Sequence, residues 1–279
     1  MKICDLHTHS IFSDGTYSPS EIVDEAVKIG LSAVALTDHN TIDGLPEFIA
    51  YARDKEIEAV AGAEFSVDYN GRELHLLGLF IPENSFLSVS ELMKEYNIRK
   101  EQSNAALVEA LRGIGMYIDY DEIKNNTPSG KINRSHIAAA LTEKGYTESI
   151  KQAFRDLLSP TVGYYKEPKR SDVFEMIDFI VGLGALPVLA HPFLNLSEEE
   201  LLQFLPNAKK RGLVGMECYY STYDKATTER SVSIADAIGL LPSGGSDFHG
   251  ANKPDIVLGK GKGDLRVPYE WFERLMNSK

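Results

Sequence analysis

The feature that most constrains the fold of this 279-residue chain is a repeated pairing of a short apolar run with a polar cluster. The apolar runs alternate with amphipathic helical patterns, which predicts βα units that build a parallel sheet or barrel. Histidine, aspartate or glutamate follows the end of most predicted strands. These residues are His7 and His9, His39, Glu64, His191, and Asp247 with His249. Because the carboxyl ends of barrel strands meet at one edge, we expect these distant residues to converge there.

The side chains in these clusters indicate a hydrolytic metal centre. Imidazole and carboxylate groups without thiolates are the usual ligand set of such a centre. A structural zinc site would more often use closely spaced cysteines, but Cys4 and Cys218 are far apart and each lies in an apolar run. We therefore expect both cysteines to be small buried thiols.

Helical patterns interrupt the strand rhythm in the middle of the chain. Strands are predicted at 2–4, 31–36, 58–63 and 74–80, and again at 185–189, 213–218 and 239–241. The intervening residues carry mostly helical patterns, at 91–114, 133–144 and 148–158. We interpret 85–168 as an inserted helical subdomain that covers the substrate, and 1–84 together with 169–279 as a metal-binding barrel.

The composition is that of a globular protein, with 43% hydrophobic residues and a net charge of -12. This charge argues against binding of long duplex nucleic acid, which requires a broad basic surface. No apolar stretch approaches the roughly 20 residues of a membrane span, so no membrane partner is expected. Without a disulfide framework or a targeting segment before the first histidine pair, we expect a cytoplasmic location. The sequence indicates no particular oligomeric state.

Four motifs, in this order, resemble those of the PHP (polymerase and histidinol phosphatase) superfamily. They are His7-Thr8-His9-Ser10, Thr37-Asp38-His39, Ala190-His191-Pro192 and Asp247-Phe248-His249. The resemblance extends over essentially the whole chain. It implies an α/β fold, a distorted (β/α)7 barrel of the PHP type with metals at the C-terminal face. This expectation agrees with the polar residues at the strand ends.

The resemblance also implies two to three divalent metal ions, which would be manganese, zinc or iron. The first would be held by His7, His9, Glu64 and Asp247. Glu64 would bridge to a second ion completed by His75 and His191, and a third would be held by Asp14, His39 and His249. The bridging role suits Glu64, because a carboxylate can span two cations whereas a neutral imidazole donates one lone pair. Asp38 would either orient a neighbouring ligand or cap its loop.

A segment of the predicted insertion resembles one branch of this superfamily more narrowly. Asn133-Arg134-Ser135-His136-Ile137-Ala138, together with Gly163-Tyr164-Tyr165, is similar to the branch that hydrolyses nucleoside 3',5'-bisphosphates and short RNA ends. Arg134 would clamp a substrate phosphate, because a guanidinium group matches phosphate geometry. His136 would contact the phosphate or protonate a leaving oxygen. Alternatively, Arg134 is a surface residue at a helix start and His136 packs inside the insertion.

Other positions also bear on substrate binding. Lys131 is a weaker phosphate-binding candidate. Tyr219, Tyr220 and Tyr223 would either stack on a nucleobase or pack at the barrel rim. Glu217 lies near the end of a predicted strand, and the sequence leaves its role open. Phe193-Leu194-Asn195 stands where several members of the family have a Gly-Arg-Tyr-like segment. A basic residue for a second phosphate is therefore absent at that point.

The resemblance thus implies a metal-dependent phosphoesterase in which hydroxide on the metals attacks phosphorus. The expected substrate is a small phosphorylated nucleotide. It would be a nucleoside 3',5'-bisphosphate, which would lose its 3'-phosphate, or a short 5'-phosphorylated oligoribonucleotide. Three alternatives stay open. They are a phosphatase for another phosphomonoester such as histidinol phosphate, a metal-barrel amidohydrolase, and a binding module without catalysis.

Overall fold

The structure is a computed structural model that describes residues 2–127 and 130–279. Its strands are β1 (Ile3–Asp5), β2 (Ala33–Leu36), β3 (Glu58–Tyr69), β4 (Arg72–Leu79), β5 (Ser171–Asp172), β6 (Leu186–Leu189), β7 (Gly215–Tyr220), β8 (Leu241–Gly245) and β9 (Val267–Pro268). Its helices are α1 (Pro19–Lys28), α2 (Leu45–Ala52), α3 (Phe86–Gly113), α4 (Tyr120–Asn126), α5 (Arg134–Glu143), α6 (Ile150–Ala153), α7 (Val173–Gly182), α8 (Glu198–Lys210), α9 (Lys225–Ile238) and α10 (Tyr269–Met276). A π-helical turn at Phe154–Leu158 continues α6.

Seven of the strands form a nearly closed barrel. Their hydrogen-bonded order is β8-β7-β6-β4-β3-β2-β1, and β1 and β8 are joined just beyond β1. The Leu6 N–H donates to the Gly244 oxygen at 3.1 Å, and the Asp247 N–H donates to the His7 oxygen at 2.9 Å. Outside this ring, β9 pairs with β1 and β5 pairs with β3. The predicted α/β barrel is thereby confirmed.

Strand β4 departs from the expectation of a parallel sheet. It runs antiparallel to both β3 and β6, because a two-residue turn at Asn70 and Gly71 connects it directly to β3. These residues have φ angles of 54° and 78°, and positive values are what such a tight hairpin turn requires. Because β4 is reversed, its first half reaches the carboxyl edge of the barrel. That half carries His75.

Strand β8 begins later than the sequence pattern predicts, and it contains two consecutive glycines. A Cβ atom on Gly245 would lie 2.4 Å from the Cβ atom and 2.5 Å from the backbone nitrogen of His7. The close approach of the His7 segment therefore requires glycine there, which makes β8 less apolar than an ordinary strand. Helix α8 was not predicted either, because it contains Pro206, a residue type that usually ends a helix.

The alternation of side chains along the strands separates two apolar layers. In β2, Ala33 and Ala35 belong to the cluster inside the barrel, whereas Val34 and Leu36 pack with the surrounding helices. Small side chains inside suit a barrel with few strands, because little space remains around its axis. The end of the barrel away from the polar clusters is packed by α10, which contributes Phe272 to the inner cluster.

Helices α3 to α6 lie between β4 and β5 and share an apolar cluster of their own, which includes Leu107, Leu111 and Ile137. The first turns of α3 pack instead with the barrel helices through Val89 and Met93. Helix α3 is therefore one element that fixes the helical segment to the barrel. The subdomain boundaries at 85 and 168 stay a prediction.

Two expectations from composition can be compared with the structure. Cys4 and Cys218 are free and buried, as expected. Within residues 2–127 and 130–279, no helix combines the length and the apolar character that a bilayer span requires.

Replacing Gly245 by alanine tests the close contact that closes the barrel. The added methyl group would meet the backbone of His7, so we expect the Gly245→Ala variant to lose about 3 kcal/mol of unfolding free energy. Gly182→Ala at the end of α7 is the control, because no atom lies within 4 Å of the added carbon there. Urea unfolding measures both variants. Equal stability of the two would contradict the close approach of β1 and β8.

Candidate metal centre and substrate cleft

The extended segment after β1 carries His7 and His9 into the carboxyl edge of the barrel. They are two positions apart, so both side chains lie on the same face of the chain, and both are fully buried. Thr8 points the other way, where its hydroxyl donates to the Ala35 oxygen at 2.5 Å. The H-x-H spacing therefore directs two imidazoles into one site.

Two buried carboxylates, Asp5 and Asp38, hold the loops that carry the neighbouring ligands. Asp5 accepts hydrogen bonds from the N–H and the hydroxyl of Ser246 at 2.8 and 2.5 Å. Asp38 accepts from the N–H of Ser10 at 2.7 Å and from the hydroxyl of Ser13 at 2.6 Å. Asp38 thus braces the ligand loop, which matches the positioning role considered for it.

Glu64 in β3 is the centre of the cluster and is fully buried. Its Oε2 lies 3.2 Å from Nε2 of both His7 and His9 and 3.0 Å from Nδ1 of His39, and its Oε1 lies 2.7 Å from Nδ1 of His75 and 3.0 Å from Nε2 of His191. Burial alone would raise the pKa of this carboxyl, but His39, His75 and His7 hold the pKa well below its usual value. An ionised carboxylate with imidazoles at both oxygens is suited to bridge two cations.

Two further carboxylates complete the cluster. Oδ1 of Asp247 lies 3.2 Å from Nε2 of His9 and 3.4 Å from Nδ1 of His249. Oδ1 of Asp14 lies 3.2 Å from Nε2 of His249 and 3.8 Å from Nε2 of His39. The structure therefore brings together all of the residues predicted as metal ligands, at the barrel face predicted for them.

The ligand atoms form overlapping groups with the number and spacing that a cation needs. The groups are His9 with Asp14, His39 and His249; His7 with His9 and Glu64; His39 with Glu64 and His75; and His7 with His191 and Glu217. In each group the ligand atoms lie within 4.8 Å of one another. The first group contains the predicted third set, and Oε1 of Glu64 faces the predicted pair His75 and His191. The assignment of ligands to individual ions stays a prediction.

Several buried atoms in this cluster have no hydrogen-bond partner within the described part of the chain. They are Nε2 of His7, both ring nitrogens of His9, Oδ1 of Asp14, Oε2 of Glu64, Nδ1 of His75 and Nδ1 of His191. An unsatisfied buried polar atom costs about 1–3 kcal/mol, so such a concentration calls for a ligand. Imidazole nitrogen and carboxylate oxygen suit manganese, zinc or iron. The residues present therefore fit divalent cations.

Glu217 in β7 connects two predicted ligands, a role that the sequence left open. The carboxylate is fully buried; Oε1 lies 3.0 Å from Nδ1 of His7, and Oε2 accepts the backbone N–H of His191 at 2.7 Å. Because a carboxylate oxygen accepts here, Nδ1 of His7 carries a proton, which leaves Nε2 as the nitrogen that can bind a cation. The second bond holds His191, whose φ of 27° is a strained value.

Two residues hold Asp247: Tyr220, which the sequence suggested only for base stacking or rim packing, and Lys253, to which it gave no role. The Tyr220 hydroxyl donates to Oδ2 of Asp247 at 2.8 Å, and Nζ of Lys253 donates to the same oxygen at 2.6 Å. Oδ1 is left facing the imidazoles. Tyr220 ends β7 at the carboxyl edge, and that position could have identified it. Lys253 lies in the loop after His249, where no sequence pattern distinguishes it.

A cleft of about 510 Å³ opens beside the cluster and includes Asp14 and His39 in its lining. The helical segment supplies other lining residues, among them Lys100 of α3 and Ser135 of α5. The Ser135 hydroxyl donates to Oδ2 of Asp14 at 3.2 Å. The start of α5 therefore contacts the metal ligands directly, and the cleft has the size of a small-molecule site.

Arg134 lies in this cleft, where a phosphate clamp is needed. Its guanidinium carbon lies 4.5 Å from the centre of the Tyr165 ring, and its Nη2 lies 3.4 Å from Oε2 of Glu73. Glu73 is also held by Nη2 of Arg170 at 2.8 Å. Stacking and pairing fix the guanidinium plane in advance, which favours recognition of a phosphate group.

His136 is placed elsewhere in the helical segment. Its Nδ1 accepts the backbone N–H of Asn133 at 3.0 Å, which satisfies a donor at the start of α5. Its ring lines a separate pocket beside Ile123 of α4. Burial lowers the pKa of this imidazole. It is the neighbouring Ser135 that contacts Asp14, so the geometry favours the packing role considered for His136 over direct catalysis.

The cleft lining within the described ranges also omits Lys131 and Tyr219. Nζ of Lys131 donates to the Thr41 hydroxyl at 2.7 Å and pairs with Asp43, beside an adjoining pocket. Tyr219 packs edge-on against Trp271, with ring centres 4.6 Å apart. Of the two interpretations considered for Tyr219, packing at the barrel is therefore favoured over stacking on a base.

The sequence profile of the PHP domain family matches residues 5–175, which is more than half of the chain. The chain therefore belongs to the PHP domain family. It is 29% identical over 249 residues to a 5'-3' exoribonuclease of Haemophilus influenzae, covering 89% of this chain and 90% of that protein. It is also 29% identical over 252 residues to a 3',5'-nucleoside bisphosphate phosphatase of Chromobacterium violaceum, with coverages of 89% and 88%.

Among solved structures, a protein of Bifidobacterium adolescentis assigned as a metal-dependent phosphoesterase is similar over 99% of this chain and 96% of its own. The TM-score is 0.86 at 28% identity. The predicted membership of the PHP family is thus confirmed, and so is the predicted branch. The chain is a hydrolase of the PHP phosphoesterase family, with clustered residues able to bind metal.

Divalent cations should stabilise the folded chain if this cluster holds them. We expect the melting temperature of metal-free protein to rise with added Mn²⁺, with a stabilisation of about 2.7 kcal/mol at 100 times the dissociation constant. Asp14→Ala removes a ligand oxygen and should reduce this gain. Asp178→Ala, an exposed position on α7, should retain it. Calorimetry with and without Mn²⁺ measures the effect, and a melting temperature indifferent to the ion would contradict the site.

Glu217→Gln tests whether Glu217 positions two ligands. An amide has one accepting and one donating end, so it must either oppose the His191 N–H with a second donor or shift the His7 proton to Nε2. We expect metal affinity to fall about 10- to 100-fold, measured by metal content after equilibrium dialysis.

The tautomer of His7 gives a second readout, because nitrogen NMR of Zn²⁺-loaded protein shows whether Nδ1 or Nε2 carries the proton. Glu109→Gln, an exposed change on α3, is the matched control. Unchanged affinity together with an unchanged His7 signal in Glu217→Gln would refute the positioning role.

Proposed function

We propose that the chain removes the 3'-phosphate from nucleoside 3',5'-bisphosphates, or cleaves short 5'-phosphorylated oligoribonucleotides from their 5' end. The observation that carries this proposal is the junction between the His/Asp/Glu cluster and the cleft that contains Arg134. The cluster suits the phosphate that reacts, and the guanidinium suits a second anionic group of the same substrate. The names of the two relatives with coverage near nine-tenths support both substrate classes.

We further propose that two to three ions of manganese, zinc or iron act in this cluster. When bound, such cations lower the pKa of a coordinated water and offset the charge of a phosphoryl group. The chain's own part is to orient them: Glu64 presents an oxygen to each side, and Glu217 fixes the tautomer of His7. Tyr220 and Lys253 hold Oδ2 of Asp247 so that Oδ1 faces the imidazoles.

The dimensions and charge of the cleft favour a small or short substrate. Its volume of about 510 Å³ suits a nucleotide, and the net charge of -12 opposes a long duplex. Phe154 lies among its lining residues and offers an apolar surface for a base or ribose.

The group of Asp14, His39 and His249 favours phosphoester hydrolysis over amide hydrolysis. A two-metal amidohydrolase does not require a third set of ligands, whereas this set lies next to the cleft. A phosphoryl group carries several charged oxygens that additional cations can contact. Elemental analysis of the purified protein therefore separates the two reaction classes by the number of ions per chain.

The substrate proposal is tested by phosphate release from adenosine 3',5'-bisphosphate in the presence of Mn²⁺. We expect release of one phosphate per molecule and adenosine 5'-monophosphate as product. 5'-Phosphorylated diribonucleotides are assayed in parallel for nucleotide release. Failure with both substrates, by protein that binds Mn²⁺, would refute the assignment.

Variants at two residues of the cluster test whether these residues are required for activity. Asp247→Ala and His39→Ala should each lower kcat/KM by about a hundredfold or more, because loss of an outer-shell partner alone costs about 10- to 100-fold. Asp178→Ala on α7 is exposed and outside the cleft, and it should match the wild type. Full activity of either ligand variant would contradict the proposed centre.

A further inference from the structure

Lys100 of α3 occupies the junction of two cavities that adjoin the metal cluster. It lines both the cleft of about 510 Å³ and the neighbouring pocket of about 390 Å³. His39 and Asn133 are also common to the two linings. Neither the family motifs nor the sequence pattern assigned a role to Lys100. The position of Lys100 therefore provides evidence about the ligand of this site that does not depend on the family motifs.

The charge of Lys100 has no opposite charge beside it. Nζ donates to the amide oxygen of Asn133, and within the described residues no carboxylate oxygen lies within 4.0 Å of it. Arg134, the other lysine or arginine side chain in the cleft lining, is paired with Glu73. Burial lowers the pKa of Lys100 to about 8, although Asp14 and Glu73 raise it. A desolvated ammonium group next to a neutral partner is suited to accept an anionic ligand.

Three consecutive residues connect this ammonium group to the reacting centre. Asn133 accepts from Lys100, Arg134 lies in the cleft, and Ser135 donates to Asp14. Adjacent Cα atoms are about 3.8 Å apart, so the two cationic residues and the metal ligand lie within the reach of one nucleotide. The same geometry accounts for the neutral Phe193-Leu194-Asn195 segment. Leu194 and Asn195 line the cleft without a charge, and the helical segment supplies the cations instead.

We propose that Lys100, together with Arg134, binds the phosphate that is not cleaved, and that Lys100 sets a preference for substrates with this second anionic group. The inference rests on the proposed phosphatase activity and deepens it. Lys100 is a specificity-determining residue: a nucleoside 3'-monophosphate reacts at the same cluster but gains nothing from it. The group recognised is a phosphate in either substrate class, the 5'-phosphate of a bisphosphate or that of an RNA end.

The test compares kcat/KM for adenosine 3',5'-bisphosphate and for adenosine 3'-monophosphate with Mn²⁺ present. In Lys100→Gln we expect the ratio of the two values to fall about tenfold or more, because the variant loses a charge-assisted hydrogen bond to the second phosphate. The loss in kcat/KM should be larger for the bisphosphate than for the monophosphate. Lys144→Gln removes the same charge from an exposed position at the end of α5, and its ratio should equal that of the wild type.

An unchanged ratio in folded Lys100→Gln, or an equal loss with both substrates, would overturn the inference. A measurement on the wild-type protein does not depend on how the variant folds. If the wild-type protein does not prefer the bisphosphate to the monophosphate, the inference also fails. These results differ from failure of the proposed function. In that case the wild-type protein, loaded with Mn²⁺, releases phosphate from neither substrate.

Discussion

The backbone hydrogen bonds that join the β1 segment to the β8 segment are the constraint on which this site depends. They place Thr8 opposite Phe248, so the His7 and His9 pair faces the Asp247 and His249 pair, although these residues come from opposite ends of the chain. A slip of one residue would turn one pair to the other face. The same backbone pairing therefore closes the barrel and sets the geometry of the predicted ligands. Gly245 permits this pairing because it leaves room for His7.

The burial of Glu64 and the imidazoles around it has a free-energy cost that hydrogen bonds within the protein do not fully offset. Five imidazoles surround one buried carboxylate, and several of their nitrogens have no protein partner in the described residues. Hydrogen bonds to Glu217 from His7, and to Asp247 from Tyr220 and Lys253, satisfy the atoms that point away from the cluster. The atoms that point inward are left for cations. Glu217, Tyr220 and Lys253 thus determine which lone pairs are available to a cation, and they are therefore part of the site.

The sequence could predict that these side chains converge, because most of them lie at or near the end of a predicted strand, and parallel strands end at a common edge. It could not predict the reversal of β4, which depends on the turn at Asn70 and Gly71. Nor could the sequence indicate which of the adjacent residues Tyr219 and Tyr220 in β7 faces the cluster. An irregularity in strand register between Glu217 and Tyr219 breaks the alternation of sides, so Tyr220 faces the cluster and Tyr219 does not. The orientation of His136 is fixed likewise by the cap of α5, in which its Nδ1 accepts the backbone N–H of Asn133.

The barrel edge and the helical segment hold opposite charges for different purposes. The edge presents carboxylates and imidazoles for cations, whereas α3 and α5 present Lys100 and Arg134 towards anions. Glu73 couples the two sets, because its Oε1 lies 3.5 Å from Nε2 of His75 while its Oε2 faces Arg134. A substrate phosphate on Arg134 would compete with Glu73 for the guanidinium and so alter the field at His75. The Arg134 guanidinium and the His75 imidazole are therefore electrostatically linked through Glu73, although they belong to separate parts of the fold.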